Sequence, residues 1–569
     1  MTEKPSKPWK PWHRRKRVWC LVIVILLAYF CLVPSRTRIS PETTGITGPL
    51  TADGKVDYFA AFEKLYIDKL SPPEDNGLRY MIAACGPSIL EQVPLVESMP
   101  WEEIQTTEKN NWFRTRWLPL CEHMLIDPYQ KPMFYDSRPF LYTMATLKRK
   151  QKDSDGPDYI VDGKYDEQKH TDSLNDDYSY SHNLFEKLTT SPWKIEDEPE
   201  AAKWLKERAP VLDYLGECVR KPNYVCYRWP SGSVIAILLP DVQASREFAR
   251  DLKVRVAECV GRDDLDGAWQ NVMTMKHLAS HLKSDSILVT NLVGNAIDGM
   301  ANESAQVILT YGKPTESQLS QFLRDLNALP QQDFSSLNLT IERMVGYEML
   351  HHLRSEGYKE LMKELGQDNQ IGVPYLKLLL SLPFDANIAG ERLTELCGEF
   401  GLRNYIPDQH QGNNPHLRQQ YVDRIEESAK NTHKKLNSTQ LHRVPLIRTR
   451  SRLLAECIFA FTAPSLSSAF GAFTRIEAEN EMLKIALALE HEKLVRGEYP
   501  ARLDALVPTY FLMTPLDPYT GRASFVYKLT PNGEHPFVLY SLGPNAKDDG
   551  GLPMEKSGSA MDYDVVFWK

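Results

Sequence analysis

The chain has few cysteines, nine in 569 residues, and none of them form a C-x-x-C pair. That scarcity excludes a disulfide-dense secreted scaffold and argues against a structural zinc ribbon. Glycine is sparse too, at 30 residues, which excludes a collagen-like repeat. Only one uncharged apolar run approaches membrane length, so the chain is not a polytopic transporter. The sequence contains no Walker loop, no G-x-G-x-x-G, no G-x-S-x-G elbow and no H-E-x-x-H. The motifs that would cradle a nucleotide phosphate, expose a serine nucleophile or bind a catalytic zinc are thus missing.

Hydrophobic residues make up 42% and charged residues 25%, the balance of a globular protein. The length suits roughly three to four domains. The net charge of −8 is unevenly spread. Residues 1–17 carry Lys4, Lys7, Lys10, Arg14, Arg15, Lys16 and Arg17 against Glu3, a charge of +6 that leaves −14 for the rest. A body this acidic is a poor partner for phosphate, so no nucleic-acid binding is expected. The basic tail reads instead as a topology signal.

It precedes Val18–Val33, which carries no charge. As a helix this run spans about 24 Å, and Pro34 and Ser35 extend it toward the ~30 Å of a hydrocarbon core. Trp12 and Trp19 suit the cytoplasmic interface, and the positive flank places the N-terminus inside and the body outside the cytoplasm. Residues 18–34 are therefore expected to be a single-pass signal anchor in the cell membrane. The rival reading is a cleaved signal peptide, for which Val33-Pro34-Ser35 offers only a poor small-residue site.

Seven cysteines lie in the body: Cys85, Cys121, Cys218, Cys226, Cys259, Cys397 and Cys457. Cys218 and Cys226 flank Lys221-Pro222-Asn223, so they read either as a bridged turn or as two unpaired thiols, the latter preferred.

Residues 35–55 read as a linker, and residues 56–209 as a mixed, mainly helical region. Tyr58, Phe59, Phe62, Leu65, Tyr66 and Leu70 recur at helical spacing, and a second helix is expected over 78–84. Residues 150–182 are Asp-rich and nearly free of aliphatic side chains, which predicts a polar loop. Residues 210–464 form a mainly helical body. Within it Ser233–Leu239 is the best strand candidate, and 246–259 with 265–282 form a hairpin like a single tetratricopeptide unit. Further amphipathic stretches cover 285–311, 315–328 and 338–366, and a helix is expected over 415–436. The apolar stretch 453–473 contains Glu456 and Pro464, which predicts a packed helix pair rather than a second membrane span.

Catalytic candidates are thin. His277 and His281 stand at i, i+4, a spacing that can share a metal, but no third ligand is evident and core or surface histidines are the plainer reading. His351 and His352 are adjacent, so on a helix they point apart.

The signal sharpens over 465–569. A long helix, IEAENEMLKIALALEHEKL, stops at Gly497. A short helix with Leu503 and Leu506 follows, then the turn Asp517-Pro518-Tyr519-Thr520-Gly521. Strands are expected over 524–529, 537–542 and 565–568, with Asn532-Gly533 as the hairpin turn. The order Gly497-x-Tyr499-Pro500, Leu503, Leu506, Asp517-Pro518-x-x-Gly521, Tyr527, Leu539-Tyr540-Ser541-Leu542-Gly543, Gly550-Gly551 and Asp562-x-Asp564-Val565 resembles the globular end of the major pseudopilin of type II secretion. The whole chain is similar to bacterial membrane-anchored proteins that carry such an end.

The resemblance implies a long helix packed on a small antiparallel sheet, and calcium in an acidic C-terminal loop. The matching residues are Asp548, Asp549, Asp562 and Asp564, with carbonyls near 542–545; Asn545 stands where the family usually has Asp. True pseudopilins begin with the apolar helix that assembles their filament, and here that helix is not contiguous with the module.

The expected fold is thus α+β, mostly α, with one membrane helix, a helical body and a pseudopilin-like end. The leading functional expectation is a non-enzymatic envelope scaffold or adaptor with envelope protein partners, in association with a secretion or filament system. A membrane-tethered hydrolase with a site in 210–400 and a calcium-responsive binding module are the alternatives.

Overall fold

The computed structural model describes residues 37–70, 72–89, 113–134, 137–154, 167–228, 240–330, 340–357, 382–399, 447–530, 535–554 and 563–568, with a few short stretches before and between them. The expected helix over 415–436, the Asn532-Gly533 turn and Asp562 lie essentially outside the described residues. Of the uncharged N-terminal run, only residues 19, 20 and 22–24 are described, and they are helical. No helix among the described residues is long and apolar enough to cross a membrane.

The fold is mostly helical. Helices α1 (Tyr58–Leu70), α2 (Gly77–Cys85) and α3 (Leu118–Met124) open the chain, followed by α4 (Phe140–Ser154). A two-residue hairpin, β1 (Ile160–Val161) with β2 (Lys164–Tyr165), leads to α5 (Glu167–Thr190) and α6 (Pro199–Cys218). The body continues with α7 (Pro240–Gly261), α8 (Leu265–Lys283), α9 (Leu288–Tyr311), α10 (Glu316–Ala328), α11 (Thr340–Ser355) and α12 (Ala386–Glu399). A 50-residue helix, α13 (Ile447–Arg496), runs into a three-stranded antiparallel sheet of β3 (Val526–Leu529), β4 (Phe537–Ser541) and β5 (Val565–Trp568).

Local chemistry places the helix starts. Asn76 caps α2 by accepting from Leu78 N, Asp264 caps α8 through Gly267 N, and Thr315 with Gln318 forms a reciprocal capping box on α10. The expected hairpin is present as α7 and α8, but α9 packs against both, so the unit is a three-helix bundle. Cys218 and Cys226 are free and buried.

Four expectations need correction. Residues 167–182 are helical, not looped. The last turns of α5 set Ser181, Leu184, Phe185 and Leu188 in an i, i+3, i+4, i+7 stripe that begins where the polar stretch ends; Leu188 is buried in the cluster of Trp193 and Trp204, and Leu184 and Phe185 pack partly buried against it. Of the expected strand only Ser233, Val234, Ile237 and Leu239 are described, and none of these is in a strand; the other three positions lie outside the described residues. Val234 N donates to Glu348 Oε2 at 2.8 Å instead of to a neighbouring strand, and α7 begins at Pro240. The packed helix pair is one continuous helix, α13, which runs through position 464. Packing along both halves outweighs the local cost of a proline in the helix interior.

The fourth correction concerns 35–55, which is no free linker from residue 37 onward. Thr43 and Thr44 are buried. Arg38 N donates to Asn387 Oδ1 at 2.6 Å, and Thr394 Oγ1 donates to the Glu42 carbonyl at 2.7 Å. The strap crosses α12 at Gly390, where a Cβ would stand 1.9 Å from the Thr43 oxygen. Only glycine lets the two backbones approach that closely.

Among the described residues three apolar clusters make the core. One joins α2, α3, α6–α10, the second half of α13 and the sheet; a second joins α1, α11, α12 and the first half of α13; a third surrounds Phe140, Trp193 and Trp204. In α13 the five consecutive residues Ile485, Ala486, Leu487, Ala488 and Leu489 are all fully buried. A helix covered on every side needs two partners. Here α9 and α10 supply one, and β4, β5 and the 3-10 turn Leu503–Leu506 supply the other.

One carboxylate joins the first two clusters. Glu342, in the first turn of α11, accepts from Leu288 N at 2.7 Å and so caps α9 from outside, while its Oε2 has no hydrogen-bond partner. Burial pushes its carboxyl up to about 7, with the Asp285 charge adding to the rise. The native state therefore holds this proton more tightly than the unfolded chain. The stabilisation is full below the ordinary glutamate value of 4.5 and is lost as pH rises through about 7. Glu342→Gln keeps the acceptor and removes the charge. Its Tm should exceed that of the native chain near pH ~8 and converge with it near pH ~5; a difference independent of pH would contradict the assignment.

Candidate functional site

Polar side chains gather where the helical body meets the C-terminal module, and three groups of them are chemically distinctive.

The first is an ion cluster inside the bundle. Lys276 on α8 points at α9 and α13, and its ammonium donates to Asp298 Oδ1 at 2.6 Å, Asn302 Oδ1 at 2.6 Å and Asn480 Oδ1 at 2.7 Å. Asn480 Nδ2 donates back to Asp298 Oδ2 at 2.9 Å, and Lys283 also reaches Asp298. Lys276, Asp298 and Asn302 are all buried. Burial lowers the Lys276 ammonium from its ordinary value, with Asp298 opposing. Burial alone would raise Asp298, but the two ammonium groups and the Asn480 amide hold its carboxyl well below the usual range. All three donors of the Lys276 ammonium are engaged and Asp298 accepts at both oxygens, so the ion pair fixes geometry rather than serving proton transfer.

The second is a relay between α10 and the end of α13. Ser320 Oγ and His491 Nε2 lie 2.8 Å apart, and His491 Nδ1 lies 2.7 Å from the Tyr510 hydroxyl. Tyr510 donates its single proton to Glu492 Oε2 at 2.9 Å. Its oxygen then accepts from His491 Nδ1–H, and in the neutral tautomer Nε2 is left to accept from Ser320. The proton order is that of a serine–histidine pair with an orienting third group. The rest of an acyl-transfer site is lacking. Ser320 sits in the second turn of α10, where its own amide and those after it are committed to the helix, so no adjacent N–H is free to stabilise an oxyanion. What the relay can do is hold α10, α13 and the segment after Val507 together.

The third is the acidic turn of the module. Asp517 is buried and accepts from Ser541 Oγ at 2.8 Å, Leu542 N at 2.9 Å and Tyr519 N at 3.0 Å. Asp564, also buried, accepts from Gly551 N at 2.6 Å and Leu552 N at 3.2 Å. Asp548 accepts from the Tyr540 hydroxyl at 2.6 Å and Gly550 N at 2.9 Å, and Asp549 from Asn545 Nδ2 at 2.8 Å. Burial raises the Asp517 and Asp564 carboxyls despite these donors, whereas the Tyr540 hydroxyl and Gly550 N lower Asp548.

The structure thus brings Asp548, Asp549 and Asp564 to one turn; Asp562 is outside the described residues. Each of the three already serves hydrogen-bond donors of its own loop. Among the described residues no group of three or more His, Cys, Asp or Glu side chains is arranged to hold a metal ion. Asp517 emerges as the centre of the turn, a role hidden in the sequence because its partners lie 24 and 25 residues away.

Among the described residues the histidines form no metal-holding group. His281 places Nε2 2.8 Å from the Val219 carbonyl and stacks on Tyr224, and burial lowers both His277 and His281. His352 approaches Glu356 at 3.6 Å, one turn along α11. The relay and the Lys276 cluster escaped the sequence reading, because Ser320 is 171 positions from His491 and Lys276 is 204 from Asn480.

No family model, curated protein or solved structure matches the chain.

Breaking a buried pair by removing one partner costs about 3–5 kcal/mol, against about 0–1 for an exposed one. Lys276→Met should therefore lower stability by about 3–5 kcal/mol in denaturant melts. Arg502→Met, which removes an exposed pair with Asp504, should cost at most about 1 kcal/mol. Equal effects would contradict the role given to the cluster.

Proposed function

We propose that the chain is a non-enzymatic, membrane-anchored scaffold of the cell envelope that presents a pseudopilin-like module on a helical body. The observation that carries this reading is the fate of the long helix. Its second half is enclosed by the bundle on one side and the sheet on the other, and its first half packs on α11 and α12. A helix buried in this way is not available for filament assembly, so the module serves as a fixed surface of the body.

The convergence of the motif residues supports the pseudopilin-like part of the reading. Asp517 binds Ser541 and Leu542, Asp564 binds Gly551 and Leu552, and Gly543 passes the Tyr563 carbonyl at a distance no Cβ would allow. Envelope partners related to secretion or filament systems follow from that resemblance alone, since a fold does not carry a function with it. The acidic turn keeps calcium as a proposed ligand of Asp548, Asp549, Asp562 and Asp564.

The hydrolase alternative has one observation in its favour, the Ser320–His491 pair, and the helical setting of Ser320 weighs against it. Crosslinking the tagged full-length protein in its native membranes, followed by mass spectrometry, tests the scaffold. Reproducible enrichment of secretion or filament components is the expected result. Recovery of the bait alone under effective crosslinking, with a fluorophosphonate probe captured at Ser320, would replace the scaffold with the hydrolase.

A further inference from the structure

The strap that precedes α1 is clamped to the body from its first residues. Arg38 reaches Asn387 and, at 2.9 Å, Glu391 on α12. Thr394 holds the Glu42 carbonyl, and the Tyr58 hydroxyl donates to the Thr44 carbonyl at 2.9 Å. The missing side chain at Gly390 lets the strap backbone lie directly against α12, where a Cβ would stand 1.9 Å from the Thr43 oxygen.

Val33, the last residue of the uncharged run, is five residues before Arg38. Five residues span at most about 18 Å even when fully extended. The headgroup layer beyond the hydrocarbon core is itself about 5–8 Å deep on each side. A membrane anchor ending at Val33 therefore cannot hold the body at a distance.

We propose that the face formed by the strap and α12 rests on the lipid headgroups of the membrane. This rests on the anchor reading of residues 18–34. The chemistry of the face agrees with such a partner. Arg38 is 65% exposed at its side chain while paired with Glu391, and the partly exposed Arg452 pairs with Glu395 one turn along α12, to which the largely buried Arg392 also bonds. Exposed Arg448 begins α13 nearby. Guanidinium groups on a rim of this kind bind phosphate in bidentate fashion, and their carboxylate partners keep the face from being strongly charged.

The placement also orients the rest. Arg392 bonds Glu456 at 3.2 Å near the membrane end of α13, whereas Glu490 accepts from Tyr499 at the module end. The intervening turns of helix extend about 50 Å. The module lies at the other end of this rod from the contact with α12.

The test uses the full-length protein in phosphatidylcholine–phosphatidylglycerol vesicles that contain a lipid with a headgroup nitroxide. A fluorescent amino acid replaces exposed Pro41 in the strap or, in a second protein, exposed Arg522 in the module. The expected result is flotation of both proteins with the vesicles, loss of most of the fluorescence at position 41 and none at position 522. Flotation with full fluorescence at position 41, or with equal loss at both positions, would overturn the docked face while leaving the anchor intact. Failure to float would overturn the anchor and the docked face together.

Discussion

The buried Lys276–Asp298 pair, with Asn480 bonded to both of its members, is the interaction on which the rest of the architecture depends. Around residues 485–489 helix α13 is apolar on every side. Apolar contact alone would tolerate several rotations and shifts of such a helix in its groove. The Asn480 amide offers one acceptor to Lys276 and one donor to Asp298, and any shift by a turn would break both bonds and leave that amide without its partners. The cost of that error exceeds the net worth of the pair itself, so the cluster specifies register more than it adds stability.

With the register of α13 set, the other features follow in order. The Ser320–His491–Tyr510–Glu492 relay holds the end of the helix to α10. The sheet then covers the exposed side of the helix, and Asp517 and Asp564 tie the loops of that sheet through backbone donors. At the other end α12 packs on the first half of α13 and carries the strap that leads back toward the N-terminus. Body and module share one helix and one continuous apolar cluster, so the resemblance of the module to an independent globular end does not make it an independent unit here.

Elements with a local signature were legible in the sequence. The periodic apolar residues of α1 and α2, the α7–α8 hairpin, the stop at Gly497 and all three C-terminal strands fall close to where spacing and turn residues place them. Composition misled at α5, whose first half offers no apolar face, and at Ser233–Leu239, where a distant glutamate takes the amide that a strand would use. Pro464 suggested a break that tertiary packing overrides. The candidate site was the least legible part. Lys276, Asp298, Ser320 and His491 are ordinary residues on ordinary helices, and only contacts across long sequence separations give them meaning.

Native-state hydrogen exchange under increasing denaturant, read by mass spectrometry, tests the central claim that α13 makes body and module one cooperative unit. The account predicts that amides of α9, of α13 around Leu487 and of β4 open with a common free energy and a common denaturant dependence. Release of β4 at clearly lower denaturant, with α9 and α13 still protected, would contradict it.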